Sequence, residues 1–172
     1  MSLPLCSPAP ARVPPRLADA LVHYARPASV LEVTDGSPRA RAACERLGVP
    51  YAAVATLDFE ASPPGKPDLI LLSAPRVRPL AWSPMLDPSW PLTTAWLLCP
   101  PGGVVAVWVP SDGKPGMQAL GLVLGALPRE CVEAIWTVPH HPEEREEDGE
   151  RRPVPTSHLV IFRCDPLVRC EA

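Results

Sequence analysis

ASVLEVTDGSPR, residues 28–39, is the stretch whose reading decides the fold. Val30, Leu31 and Val33 form a short apolar run of strand length. The run stops at a polar turn, and a helix is predicted to begin near Pro38, a residue favoured at the first helical position. A buried strand that hands over to a helix is the repeating unit of a doubly wound parallel sheet, and such sheets bind ligands outside the carboxyl ends of their strands. The end of this strand is therefore the first place to look for a site.

Towards the N-terminus, PRLADALVHYA (15–25) sets Leu17, Leu21 and Tyr24 at i, i+4 and i+7, the spacing of a helix that packs one face on a core, and Arg26-Pro27 ends it. Beyond the turn, PRARAACERL (38–47) reads as a helix with Gly48 as its C-cap and Pro50 forbidding continuation. YAAVATL (51–57) is a second strand that ends at Asp58. PDLILLSAP (67–75) is the most hydrophobic strand, expected at the centre of the sheet with both faces covered. Only about nine residues, Phe59 to Pro67, separate the two, too few for a helix, a strand and a second helix.

The segment Trp90 to Cys99 reads as a helix presenting Leu92, Ala95, Trp96 and Cys99 on one face, and Pro100-Pro101-Gly102-Gly103 turns it into the strand VVAVWVP. Gly116 to Leu127 is a further helix. Val132 to Val138 and Ser157 to Cys164 form an antiparallel strand pair, with an acidic, proline-rich loop, 139–156, between them. Residues 1–15 form a proline-rich arm, 16–165 one domain, and 166–172 a tail.

A chain of 172 residues, 47% of them hydrophobic, is enough for one domain with a sizeable core. No apolar run reaches the roughly 18 residues of a membrane span. Met1 to Arg16 lacks the basic start and continuous apolar segment of a secretory signal, so a cytoplasmic protein is expected. The 26 prolines fall mostly in connections, which implies stiff loops and an unfolded state of reduced entropy. Net charge is −3, but EEREEDGE (143–150) alone carries −5 and leaves +2 for the rest, a balance that neither demands nor excludes a nucleic-acid partner. The cysteines show no CxxC spacing. Cys44, Cys99 and Cys131 sit among apolar residues as core thiols, and Cys164, Cys170, His140 and His141 are poorly spaced for a metal, so no metal site is expected.

Glu32-Val33-Thr34-Asp35-Gly36-Ser37-Pro38 resembles the first motif, E-x-G-x-G-x-G, of Rossmann-like S-adenosylmethionine (SAM) methyltransferases, with Thr34 and Pro38 in place of two of its three glycines. The helix, the proline-glycine-glycine turn and the strand after it resemble the fifth-strand region of the same class I superfamily. The resemblance spans residues 16–165 and implies a Rossmann-like, mostly parallel α/β sheet with an antiparallel C-terminal pair, shortened relative to the usual seven strands. It implies SAM as the cofactor, with Glu32, Thr34, Asp35 and Gly36 around it. An acidic residue at the second strand's tip accepts hydrogen bonds from the ribose in that family, and another at the third lies near the adenine. Asp58 would play one of these parts, or simply cap its turn.

Ser73-Ala74-Pro75-Arg76 stands where DNA amino-methyltransferases carry [DNS]-P-P-[YFW], a motif that holds a flipped base by its amino group and stacks an aromatic ring on it. Ala74 and Arg76 depart from that pattern, and a strand ending at a proline turn explains the same residues. Under the resemblance Ser73, Pro75 and Arg76 face the substrate. The irregular segment 76–90 adds Arg78, Trp82 and Trp90, which would meet a phosphate and stack on a planar substrate, or pack as core. IWTVPHH and SHLVIFR are similar in outline to the C-terminal strands of the same enzymes. His140, His141 and His158 are acid–base candidates there, or surface residues with ordinary partners. Two functions are thus expected: a small methyltransferase acting on an amino group of a nucleic acid or another planar substrate, or an inactive methyltransferase-fold subunit that binds a protein partner.

Overall fold

The computed structural model describes residues 15–33, 40–54, 57, 65–73, 90–109, 114–139 and 156–165. Its elements in chain order are α1 (Pro15–Ala25), β1 (Val30–Val33), α2 (Arg41–Leu47), β2 (Tyr51–Val54), β3 (Leu69–Ser73), α3 (Trp90–Leu98), β4 (Val104–Val109), α4 (Lys114–Gly125), β5 (Val132–Pro139) and β6 (Thr156–Arg163). The strands form one sheet in the order β2-β1-β3-β4-β6-β5. The first four run parallel, and β6 lies antiparallel to both β4 and β5. Among the described residues this is one strand fewer than the seven-stranded pattern.

Alternation along the strands sorts the core into two layers. Val30, Leu69, Leu71, Val104, Ala106, Trp108, Leu159 and Ile161 pack under α1 and α2 with Leu21, Val22, Ala43 and Cys44. The intervening residues Leu31, Ile70, Leu72, Val105, Val107, Val160 and Phe162 pack under α3 with Leu92, Ala95, Trp96 and Cys99, and the α4 residues Leu120, Val123 and Leu124 pack against this layer. The result is a helix–sheet–helix sandwich. The interior strands β3 and β4 are covered on both faces, which is why LILL and VVAVWV are continuous apolar runs rather than alternating ones.

Most element positions agree with the sequence reading, including the central place of β3 and the buried α3 face. Three details differ. Helix α2 begins at Arg41, not near Pro38, because the Ala40 N–H is taken by a side chain from β1, which makes Ala40 the N-cap. Strand β2 is Tyr51–Val54, and Leu57 is not part of it. Tyr24 is 42% exposed, since Ala18 and Val22 share the buried arc of α1 with Leu17 and Leu21 and leave Tyr24 at its rim, edge-on to Trp136 of β5. The Gly48 C-cap is observed, with φ +66° and the Val49 N–H returning to Cys44 O at 2.9 Å. Arg46 of α2 pairs with Asp19 of α1.

The amino edge of the sheet is tied by the backbone. Val104 N–H donates to Asp68 O (2.7 Å), Gly102 N–H to Cys164 O (2.7 Å), and Cys164 N–H to Gly103 O (2.9 Å). The Asp68 carboxylate receives the Ala28 N–H at 2.9 Å. Val132 pairs with Phe162 and Ala134 with Ile161, so Glu133 is the extra residue of a bulge; its carboxylate holds Arg163, which also donates to Gly102 O at 3.0 Å. Residues 1–14 and 166–172, and the acidic tract 143–150, lie outside the described residues.

Candidate functional site

Because β1 to β4 are parallel, Val33, Val54, Ser73 and Val109 all end at one edge of the sheet, opposite the tied one. The chain turns to opposite sides of β1: β2 pairs with one flank and β3 with the other. That is a topological switch point, and the crevice outside the carboxyl ends of β1 and β3 is where such a sheet takes a ligand. Register sets the two ends level, with Leu72 opposite Val33 and Ser73 one position further on.

Two of the eight residues singled out from the sequence are described. Ser73 is the last residue of β3 and pairs with Trp108. Glu32 lies on β1, on the face towards α1 and α2, and is 1% exposed. Thr34, Asp35 and Gly36, which follow β1 in the chain, Asp58, which follows β2, and Pro75 and Arg76, which follow β3, lie outside the described residues. So do Arg78, Trp82, His140 and His141, while Trp90 is the first residue of α3.

A carboxylate inside a strand must be hydrogen-bonded by its surroundings, since burying it alone would be prohibitive. The structure supplies the partners: Glu32 Oε2 accepts the Ala40 N–H at 2.9 Å and the Tyr51 phenol O–H at 2.7 Å. Ala40 has no side-chain acceptor with which to cap α2, and the carboxylate, close to the positive end of the helix, takes that part. Glu32 thus connects the end of β1 to the start of α2.

Tyr51 was missed as a site residue, yet a signal for it exists. In YAAVATL, the strand segment beside Glu32, only Tyr51 and Thr56 carry polar side-chain atoms, and only Tyr51 is long enough to reach across a strand spacing. The Arg41 guanidinium lies over the Tyr51 ring, 5.8 Å from its centroid. Burial, and then the hydrogen bond to Glu32, push the Tyr51 phenol above its ordinary value.

The same environment acts on Cys44. Burial, then the negative charge of Glu32, then that of Glu45, raise its thiol to about 11. A thiol shifted this way is protonated and inert at neutral pH. Native protein treated with iodoacetamide at pH 8 is expected to leave Cys44 unmodified, as read by mass spectrometry, and to label it after unfolding in urea. The raised value also has a sign for stability. Between the thiol's ordinary value, 9.0, and about 11, the unfolded chain has lost a proton that the native chain keeps, so stability from this group falls as pH rises through that window.

Cys99, Cys131 and Cys164 are likewise buried thiols, and no group of three metal-ligating residues occurs among the described residues. His158 is paired: its Nδ1 lies 3.2 Å from Thr137 Oγ1 on the neighbouring strand, at the end where β6 meets Val109. No helix among the described residues is long and apolar enough to cross a membrane.

No family model and no curated protein matches the chain. Solved structures match its fold. A SAM-dependent O-methyltransferase from Thermotoga maritima superposes with a TM-score of 0.55 at 13% identity, covering 90% of this chain and 67% of that one. TrmN from Thermus thermophilus gives 0.53 at 20% identity over 90% of this chain, which spans half the length of TrmN. A methyltransferase from Pyrococcus furiosus gives 0.52 at 14% identity, covering 89% and 84%. With its switch point between β1 and β3 and its antiparallel β6, the chain has the Rossmann-like α/β fold of the class I SAM-dependent methyltransferases.

Proposed function

We propose that the chain binds SAM outside the carboxyl ends of β1 and β3 and promotes methyl transfer to an amino group of a nucleic acid or another planar substrate. The observation that carries the reading is the switch point itself, with a buried carboxylate fixed at its β1 side. The fit to the cofactor rests on that carboxylate. By accepting the Ala40 N–H, Glu32 fixes the start of α2 beside the carboxyl end of β1, next to where the cofactor would sit.

In this reading the backbone of Thr34, Asp35 and Gly36 lines the cofactor, Asp58 receives the ribose hydroxyls, and Ser73, Pro75 and Arg76 orient the acceptor. SAM, when bound, supplies a methyl group on a sulfonium sulfur. Transfer of that methyl group to the acceptor nitrogen would leave the sulfur with the electron pair of the broken C–S bond and release the nitrogen's proton to water. Amine acceptors need positioning more than acid–base help, so the protein's work is to hold the acceptor in line with the methyl group.

A second reading, an inactive methyltransferase-fold subunit that binds a protein partner, is favoured by the sheet, one strand short among the described residues, and by Thr34 and Pro38 at glycine positions. Calorimetric titration with SAM and S-adenosylhomocysteine (SAH) separates the two. Micromolar binding, about −8 kcal/mol, that is lost in Gly36→Trp supports the cofactor reading. No binding by the wild type at millimolar ligand supports the partner-binding subunit.

A further inference from the structure

We propose that the outer edge of β5 seats a second copy of this chain, the two β5 strands pairing antiparallel across a two-fold axis centred on Trp136. Among the described residues β5 ends the sheet and pairs with β6 alone. An edge strand presents a row of backbone donors and acceptors that is a template for another strand, and edges that stay apart carry a charge, a proline or a bulge. In β5 the charge and the bulge fall together on Glu133, and the proline is the last residue, Pro139. The five residues between, Ala134 to Val138, are uncharged and regularly paired, and Ile135 among them is 45% exposed.

That segment is complementary to itself. Turned about an axis normal to the sheet, Trp136 lies opposite its own copy, Ile135 opposite Thr137 of the second copy, and Ala134 opposite Val138 of the second copy. Glu133 stays outside the overlap, whereas a register centred on it would set two carboxylates face to face. Directly opposed residues share a face of the sheet. On the side of α3 and α4, Ile135 pairs with Val160 of the buried layer, but α4 packs over β4 and β6 and leaves Ile135 exposed; the seam covers it with Thr137. On the side of α1, Trp136 already meets the half-exposed Tyr24 edge-on, and the two-fold sets two such aromatic pairs side by side. An unrelated strand would have to match this pattern; a copy matches it by symmetry, and the closed two-fold uses up the edge. The axis also reverses the strands, so the crevices outside β1 and β3 open at opposite edges of the joined sheet. The pairing is therefore independent of what the crevice binds.

Sedimentation velocity of the full chain from about 1 to 100 µM, a range that brackets a micromolar dissociation constant, tests this. The expected result is a rise from the 18.5 kDa chain mass to twice that value, with hydrogen exchange in peptides covering 132–139 slowing as the dimer fills. Ile135→Lys should weaken the dimer about tenfold or more. The double variant Ile135→Lys/Thr137→Glu should regain most of the loss, because the new charges oppose each other across the seam. Thermal unfolding reports whether each variant is folded; if Ile135→Lys is not, the concentration dependence of wild-type exchange decides alone. A wild type that stays monomeric throughout overturns the inference, as does a dimer that is equally tight in folded Ile135→Lys or leaves exchange in 132–139 unchanged. A mass that climbs past the dimer overturns the closed two-fold, and a double variant no tighter than Ile135→Lys overturns the register centred on Trp136.

Discussion

Gly103→Ala is expected to destabilise the protein by about 3 kcal/mol, a larger effect than one methyl group usually has. A Cβ built at Gly103 lies 2.5 Å from Cys99 Sγ and 3.0 Å from both Asp68 O and Pro100 O. The thiol can turn aside, but the two carbonyls cannot. Asp68 O accepts the Val104 N–H that starts the β3/β4 ladder, and Pro100 O accepts the Gly103 N–H that closes the turn. Any retreat loosens the tied amino edge of the sheet. In urea the unfolding midpoint should drop by roughly 1.5 M, taking a slope of about 2 kcal/mol/M. Gly121→Ala serves as the comparison. Its Cβ would meet nothing within 4 Å on an exposed face of α4, and helix propensity predicts a gain of up to about 1 kcal/mol. Equal midpoints for Gly103→Ala and the wild type would contradict the account of the turn.

Glu32→Ala is expected to cost a similar amount, about 3 kcal/mol, for a different reason. The substitution strands two donors at once. Ala40 is 1% exposed, so water has little access to its N–H, and the Tyr51 O–H was directed at the same oxygen. It also empties the space of a buried side chain. Glu32→Gln keeps an acceptor oxygen in place and should cost closer to 1 kcal/mol. The ordering of the two variants in urea unfolding is the check. If alanine were tolerated as well as glutamine, the carboxylate would not be holding the start of α2.

Much of the fold was legible in the residues because the core is sorted by simple periodicities. LILL and VVAVWV are too apolar for anything but interior strands, and the Gly102-Gly103 turn after α3 drops the chain back into the sheet at β4 as expected. Legibility failed where a long-range polar contact overrode a local rule. Pro38 is a good helix start by itself, yet the start of α2 is set at Ala40 by a carboxylate from another strand. Tyr24 has helix-core spacing, but the centre of the buried arc is set by Ala18 and Val22, which small or branched side chains let pack close to the sheet. At the candidate site, the sequence placed Glu32 and Ser73 near the ends of two strands, and the sheet order shows those strands to be neighbours. The pairing of Glu32 with Tyr51 depended on strand register, which no local pattern displays.

The most direct test of the central claim is where a methyltransferase cofactor product touches the sheet. Backbone amide NMR spectra of the protein titrated with SAH should show shifts at Val33, Val54 and Ser73, the carboxyl ends of β1, β2 and β3, and none at Gly102 and Cys164 on the tied edge. Shifts confined to the tied edge, or no shifts at millimolar SAH, would contradict the claim that the β1/β3 switch point is a cofactor site.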